Sequence, residues 1–174
     1  LDTAQRFFVQ PQVFLTETRE YLYYDNERIA QYSFTDVGGL TDLGINFGRS
    51  AQLRAGYLYS SRKADVDTGP RVLPEVEAVD AGITAQFVYD TRDAAFAPTR
   101  GLAATVEYMY TDDSLGADRD WQRLEAGARF ALPLRGDVIW LAAAGGSNLG
   151  SGLPPDRFFT LGGPGSFPGL ELTQ

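Results

Sequence analysis

RLEAGARFAL, residues 123–132, alternates without a break. Leu124, Ala126, Ala128, Phe130 and Leu132 are apolar, while Arg123, Glu125, Gly127, Arg129 and Ala131 between them are charged or small. Successive side chains of an extended chain point to opposite faces, so this stretch reads as a strand with one oily and one polar side. Working outward, the same period of two recurs in LAATVEYMY (102–110), which sets Leu102, Ala104, Val106, Tyr108 and Tyr110 against Ala103, Thr105, Glu107 and Met109. QLRAGYLYS (52–60) sets Leu53, Ala55, Tyr57 and Tyr59 against Gln52, Arg54 and Gly56, and GITAQFVYD (82–90) sets Ile83, Ala85, Phe87 and Tyr89 against Thr84, Gln86, Val88 and Asp90. Seven strands are predicted, over residues 7–22, 28–47, 51–64, 80–90, 102–111, 120–132 and 137–148, and no helical period competes with them.

Composition limits what such a sheet can do. The 174 residues are 44% hydrophobic and 22% charged, enough for one domain, taken as residues 1–174. The chain has neither cysteine nor histidine, which removes disulfides, thiolate and imidazole metal sites and the Ser-His-Asp and Cys-His arrangements. A net charge of -8 argues against a nucleic-acid partner. Ser147, Ser151 and Ser166 all fail the G-x-S-x-G pattern of a lipase elbow, and GGPGSFPG (162–169) lacks the Gly-Lys-Ser/Thr of a phosphate loop. Asp65, Asp67, Asp112, Asp113, Asp118 and Asp120 could offer oxygens to calcium, or simply be solvated loop carboxylates. No catalytic residue, cofactor or metal is therefore expected, and the chain reads as a non-enzyme. No stretch of about 18 apolar residues is present, yet a membrane is not excluded, since a spanning strand needs only about 9 to 11 residues with half of them facing lipid.

A soluble β-sandwich binding module also alternates, and on alternation alone both solvents stay open. The connections separate them. ADVDTGPRVLPEVEA (64–78) and DDSLGADRD (112–120) are long and polar and fall on one side of the sheet. GRS (48–50) and PLRGD (133–137) are tight and fall on the other, together with TRDAAFAPTR (91–100), the pattern of an outer-membrane barrel with short inner turns. Tyr21, Tyr23, Tyr24, Tyr57, Tyr59, Tyr89, Tyr108, Tyr110, Trp121 and Trp140 sit toward strand ends and are expected to form an interfacial girdle.

Two loops carry a family resemblance. DTRDAAFAPTRG (90–101) resembles the D-x-R-D…P-T-R-G turn of the BamA/TamA, or bacterial surface antigen, superfamily of outer-membrane barrels, on Asp90, Arg92, Asp93, Pro98, Thr99, Arg100 and Gly101. RFFTLGGPGSFPGL (157–170) resembles that superfamily's lumenal loop, on Arg157, Phe159, Gly162, Gly163, Gly165, Phe167, Pro168, Gly169 and Leu170. Where the family loop has a V-R-G-F tip this chain reads Phe167, Pro168, Gly169, Leu170, so the arginine that pairs with a lumenal acid is missing. Within the superfamily the chain looks most like the C-terminal barrel of patatin-like type V autotransporters of the PlpD type.

The resemblance implies an all-β, antiparallel transmembrane β-barrel in the bacterial outer membrane. Residues 1–174 would be an incomplete segment of about seven strands, the fifth to eleventh of sixteen, with strands before and after it. It implies a barrel that secretes or displays a patatin-like phospholipase passenger, with BamA/TamA-like assembly or two-partner secretion as the alternative. The partners implied are outer-membrane lipid, a polypeptide cargo or fused passenger, the barrel assembly machinery and a homodimer. The glycine-rich loop is expected to fold back inside the lumen, its glycines allowing close backbone approach and Pro164 and Pro168 limiting its freedom.

Overall fold

The alternation of apolar and polar side chains is carried by seven strands in one antiparallel sheet. The computed structural model describes residues 6–24, 27–68, 76–154, 157 and 159. The strands are β1 (Phe7–Tyr24), β2 (Glu27–Phe47), β3 (Ala51–Thr68), β4 (Val76–Asp90), β5 (Gly101–Thr111), β6 (Trp121–Leu134) and β7 (Asp137–Ser147). Their spatial order is their chain order, so every connection joins neighbours. One 3-10 turn, Asp113–Leu115, interrupts the connection from β5 to β6, and no α-helix occurs among the described residues.

Register turns the local alternation into two continuous faces. Leu53 pairs with Phe87, Phe87 with Val106, and Val106 with Ala126, an apolar row across four strands. The next row, Arg54, Gln86, Glu107 and Glu125, lies on the opposite face. Arg123 and Arg129 share that polar face, as the alternation of RLEAGARFAL requires.

Burial is inverted relative to a water-soluble sheet. On the apolar face Val13 is 92%, Leu15 75% and Phe7 72% exposed, whereas Asp80 and Thr111 on the polar face are 0% exposed. Phe34, Asp42, Ser60, Ala64, Ala78, Trp121 and Ala131, also on the polar face, are buried as well. A soluble sheet hides its oily side because burying apolar area is the main favourable term of folding. Here the apolar side is the outer one and the charged side packs inward, the arrangement of a sheet whose outer solvent is lipid.

Three sequence expectations need correction. The segment 65–78 is not all loop: β3 runs on to Thr68 and β4 begins at Val76. The end of β3 pairs with β2, through Asp65 to Ser33 and Thr68 to Gln31, because the 21-residue β2 extends far enough to satisfy its backbone. Asp65 is a strand residue whose carboxylate meets Lys63 at 2.8 Å rather than a loop ligand. Third, Trp121 and Trp140 do not join the tyrosines of the apolar face. Trp121 pairs with Thr111 and Trp140 with Ala131, both on the polar face, where each indole N–H finds an acceptor that lipid could not offer. Tyr57, Tyr59, Tyr89, Tyr108 and Tyr110 do lie on the apolar face, and the side chains of Tyr21, Tyr23 and Tyr24 lie outside the described ones.

Candidate functional site on the concave polar face

After β7 the chain reverses at residues 148–151, where the Ser151 N–H donates to the Asn148 carbonyl at 2.9 Å. The Ser151 hydroxyl oxygen accepts from the Gln122 N–H at 3.0 Å, which ties the reversal to the start of β6 and sends the chain over the polar face. Arg157 then reaches far back along the sheet. Its Nε and Nη2 donate to Asp80 Oδ2 on β4 at 3.0 and 2.5 Å, and Nη2 also reaches Asp36 Oδ2 on β2 at 3.4 Å. Two residues on, the Phe159 ring rests against Gly146 of β7 and under the Arg123 guanidinium of β6, 4.8 Å from ring centre to Cζ.

These contacts define the shape of the sheet. In a flat sheet five strand spacings, about 24 Å, would separate β2 from β7. Yet the side chains of 157 and 159 touch both, and residues of β2, β3, β4, β5 and β6 line a single recess together with Arg157. The sheet therefore curls with its polar face concave.

Asp80 is the hub of that face. Besides Arg157 it accepts the Trp121 indole N–H at 3.1 Å and lies 3.4 Å from Arg119 Nη2. Asp36 in turn meets Arg62 at 3.1 Å, and Arg62 lies over the Phe34 ring at 4.6 Å. Thr111 fixes the tryptophan from the neighbouring strand by accepting the Trp121 N–H at 3.1 Å. A carboxylate shut away from water is costly unless charge and hydrogen bonds compensate it, and three donors aimed at Asp80 supply both. Below this hub lies a recess of about 240 Å³ whose lining includes Asp42, Glu107 and Glu125 against Arg54, Arg123 and Arg157, a charge-balanced wall.

At the far end of the sheet the turn from β4 to β5 is held by its own acids. Asp90 accepts from the Arg92 backbone N–H at 3.0 Å and grips the guanidinium through Nε at 3.0 Å and Nη2 at 2.8 Å. Asp93 accepts from the Thr99 N–H at 2.9 Å, the Thr99 hydroxyl at 2.5 Å and the Arg100 N–H at 3.3 Å. Donation from Thr99 holds the Asp93 carboxyl below its ordinary pKa. Gly101 sits at φ 110°, and a Cβ there would lie 2.5 Å from the Thr91 carbonyl oxygen, so only glycine fits. The Pro98 carbonyl accepts the Trp140 indole N–H at 2.9 Å, tying this turn to β7. The spacing D-x-R-D…P-T-R-G is thus the recipe for one turn.

The opposite turn, 112–120, is likewise organised by its acids. Asp112 accepts from Ser114 and from the Tyr110 hydroxyl, which hold its pKa down to about 2. Asp120 accepts from the Asp113 N–H at 2.9 Å, and Asp118 from the Val79 N–H at 2.7 Å. Asp112, Asp113 and Asp120 lie close enough to share a cation, but these bonds show the acids organising the turn.

Comparison with known proteins gives one decisive match. The model of the Omp85 superfamily domain covers residues 3–172. The chain belongs to the Omp85 superfamily. No curated protein matches it. Omp85 domains are bacterial outer-membrane β-barrels of protein assembly and secretion, and the inverted burial of this sheet has its explanation there: lipid outside, a polar lumen inside.

Of the residues expected in the lumenal loop of this Omp85 chain, Arg157 and Phe159 are seen against the lumenal wall. Gly162, Gly163, Gly165, Phe167, Pro168, Gly169 and Leu170 lie outside the described residues. The turn residues Asp90, Arg92, Asp93, Pro98, Thr99, Arg100 and Gly101 come together as one unit, Arg100 through its backbone. Sequence reasoning missed Asp36, Arg62, Asp80 and Arg119 altogether. Parity held part of the signal, since Asp80 falls in step with Thr84 and Gln86 on the polar side of GITAQFVYD.

Proposed function

We propose that residues 1–174 form part of the wall of an outer-membrane translocation barrel that secretes or displays a patatin-like phospholipase passenger. The observation that carries the barrel reading is the returning chain: Arg157 and Phe159 fold onto a concave charged face while Phe7, Val13 and Leu15 on the apolar face stay largely exposed. A wall built this way separates lipid from a watery passage and does no chemistry itself. Any phospholipase activity would belong to the passenger. Proline at 168 in place of the family arginine supports the patatin-linked subgroup over BamA/TamA-type and two-partner secretion barrels.

The test uses the full-length protein in cells. Heat-modifiable migration in the outer-membrane fraction, with a phospholipase domain reachable by external protease, is the expected result. A stable detergent-free monomer would defeat the membrane reading, and periplasmic repeats preceding the barrel in place of a patatin domain would move the chain to the assembly subgroup.

A further inference from the structure

We propose that Arg157 is the lumenal anchor of the glycine-rich loop, acting from the loop's entry where the superfamily arginine acts from its tip. The proposal rests on the barrel reading above. Position 168 holds proline, which has no charge to offer a lumenal acid, so a tip anchor of the family type cannot form there. The concave wall nevertheless presents a buried acid, Asp80, and Arg157 engages it through two nitrogens, while Arg119 approaches it at 3.4 Å.

The geometry is that of a clasp rather than a chance surface pair. Arg157 donates through two nitrogens to Asp80, whose side chain is 0% exposed, and its second amino group also reaches Asp36. Its guanidinium lies 5.8 Å from the Trp121 ring centre, and the same tryptophan donates to Asp80. Arg157's own carbonyl accepts from Arg123 at 3.4 Å, and Arg123 covers Phe159. The entry of the loop is thereby fixed to β2, β4, β6 and β7 at once. A planar fork on a desolvated carboxylate keeps its strength where an exposed pair would be screened.

A clasp on four strands does two things. It holds the loop's first residues against the wall, and it stitches together the curvature that keeps the passage polar. Releasing Arg157 would free the loop's entry while leaving each strand's ladder intact, because none of the clasp's bonds belongs to a strand ladder.

The experiment takes the full-length barrel with cysteines placed at 146 and 159, positions that touch in the clasped state. A short bis-maleimide reports the docked fraction, and heat-modifiable migration reports assembly. The pair is expected to crosslink efficiently with Arg157 present. In Arg157→Ala the docked-to-undocked ratio should fall by roughly tenfold, as expected when one partner of a buried pair is removed and part of the cost is relieved by lumenal water. Arg157→Lys, which keeps the charge but loses the fork, should fall between the two. The exchange Asp80→Arg with Arg157→Asp should recover part of the yield. No crosslink in the parent background, or an undiminished one in Arg157→Ala, overturns the anchor. Should Arg157→Ala not assemble, Arg157→Lys decides, and a yield equal to the parent's overturns the anchor equally. A barrel that crosslinks as expected yet exports no passenger leaves the anchor standing and removes the secretion reading.

Discussion

Residues 105 and 106 are adjacent in the chain and face different solvents, which makes them a test of the whole reading. Val106 is the middle residue of the 11-residue β5, flanked in its row by Phe87 and Ala126. Five residues at about 3.3 Å each, tilted by about 40°, put it roughly 13 Å below either end of the strand, near the centre of an apolar band about 25 Å tall. An arginine there costs about 2 to 4 kcal/mol. That is a factor of about 30 to 700 in the folding equilibrium, at about 1.4 kcal/mol per tenfold. Thr105 pairs with Val88 and Gly127 on the lumenal face, beside the row of Gln86, Glu107 and Glu125, where water solvates a guanidinium. Val106→Arg is therefore expected to lower the stability of the full-length barrel in vesicles, measured by reversible urea unfolding, by about 2 to 4 kcal/mol. Thr105→Arg is expected to change it by less than about 1 kcal/mol. Equal costs at the two positions, or a larger one at 105, would refute the assignment of lipid to the apolar face.

Asp80→Ala leaves Arg157 and Trp121 without their shared acceptor and is expected to destabilise the barrel by about 3 to 5 kcal/mol in the same assay, with Asp80→Asn costing less because the amide oxygen still accepts from the indole. Gly101→Val should cost more than about 1 kcal/mol through its left-handed backbone and the Thr91 carbonyl, while Gly145→Val, with open space around it, should be silent. The Asp112 carboxyl has its folded pKa lowered to about 2 from an unfolded 3.8, so its contribution is complete above about pH 4 and disappears as pH falls through 2. Amide exchange at Ser114 should stay slow at pH 4 and lose its protection only toward pH 2. A single cysteine at 116 is expected to react with an impermeant reagent on intact cells and one at 96 to stay silent, and the reverse pattern would invert the barrel's orientation.

What the sequence disclosed follows the distance over which each interaction is decided. Alternation is decided residue by residue, and each apolar set named from parity lies on one continuous face. The turn between β4 and β5 was legible for the same reason, because the carboxylates of Asp90 and Asp93 accept from Arg92, Thr99 and Arg100 of the turn itself. The tryptophans were misplaced although parity was available: Trp121 is in step with Arg123 and Glu125, and reading it with them would have turned it inward. Aromatic residues near strand ends suit a lipid interface, but a strand end has two sides and composition does not choose between them. The clasp lay beyond any local rule. Asp36 and Arg157 are brought together only because the sheet curls, and curling sums small rotations over every strand between them. Alternation sends the charged residues of the central rows, such as Arg54, Glu107, Arg123 and Glu125, to one side; curvature then crowds that side, and crowding turns an ordinary aspartate into a buried one that requires a cation. In this chain one such cation, Arg157, comes from outside the sheet, and through it the chain beyond β7 is tied to the wall.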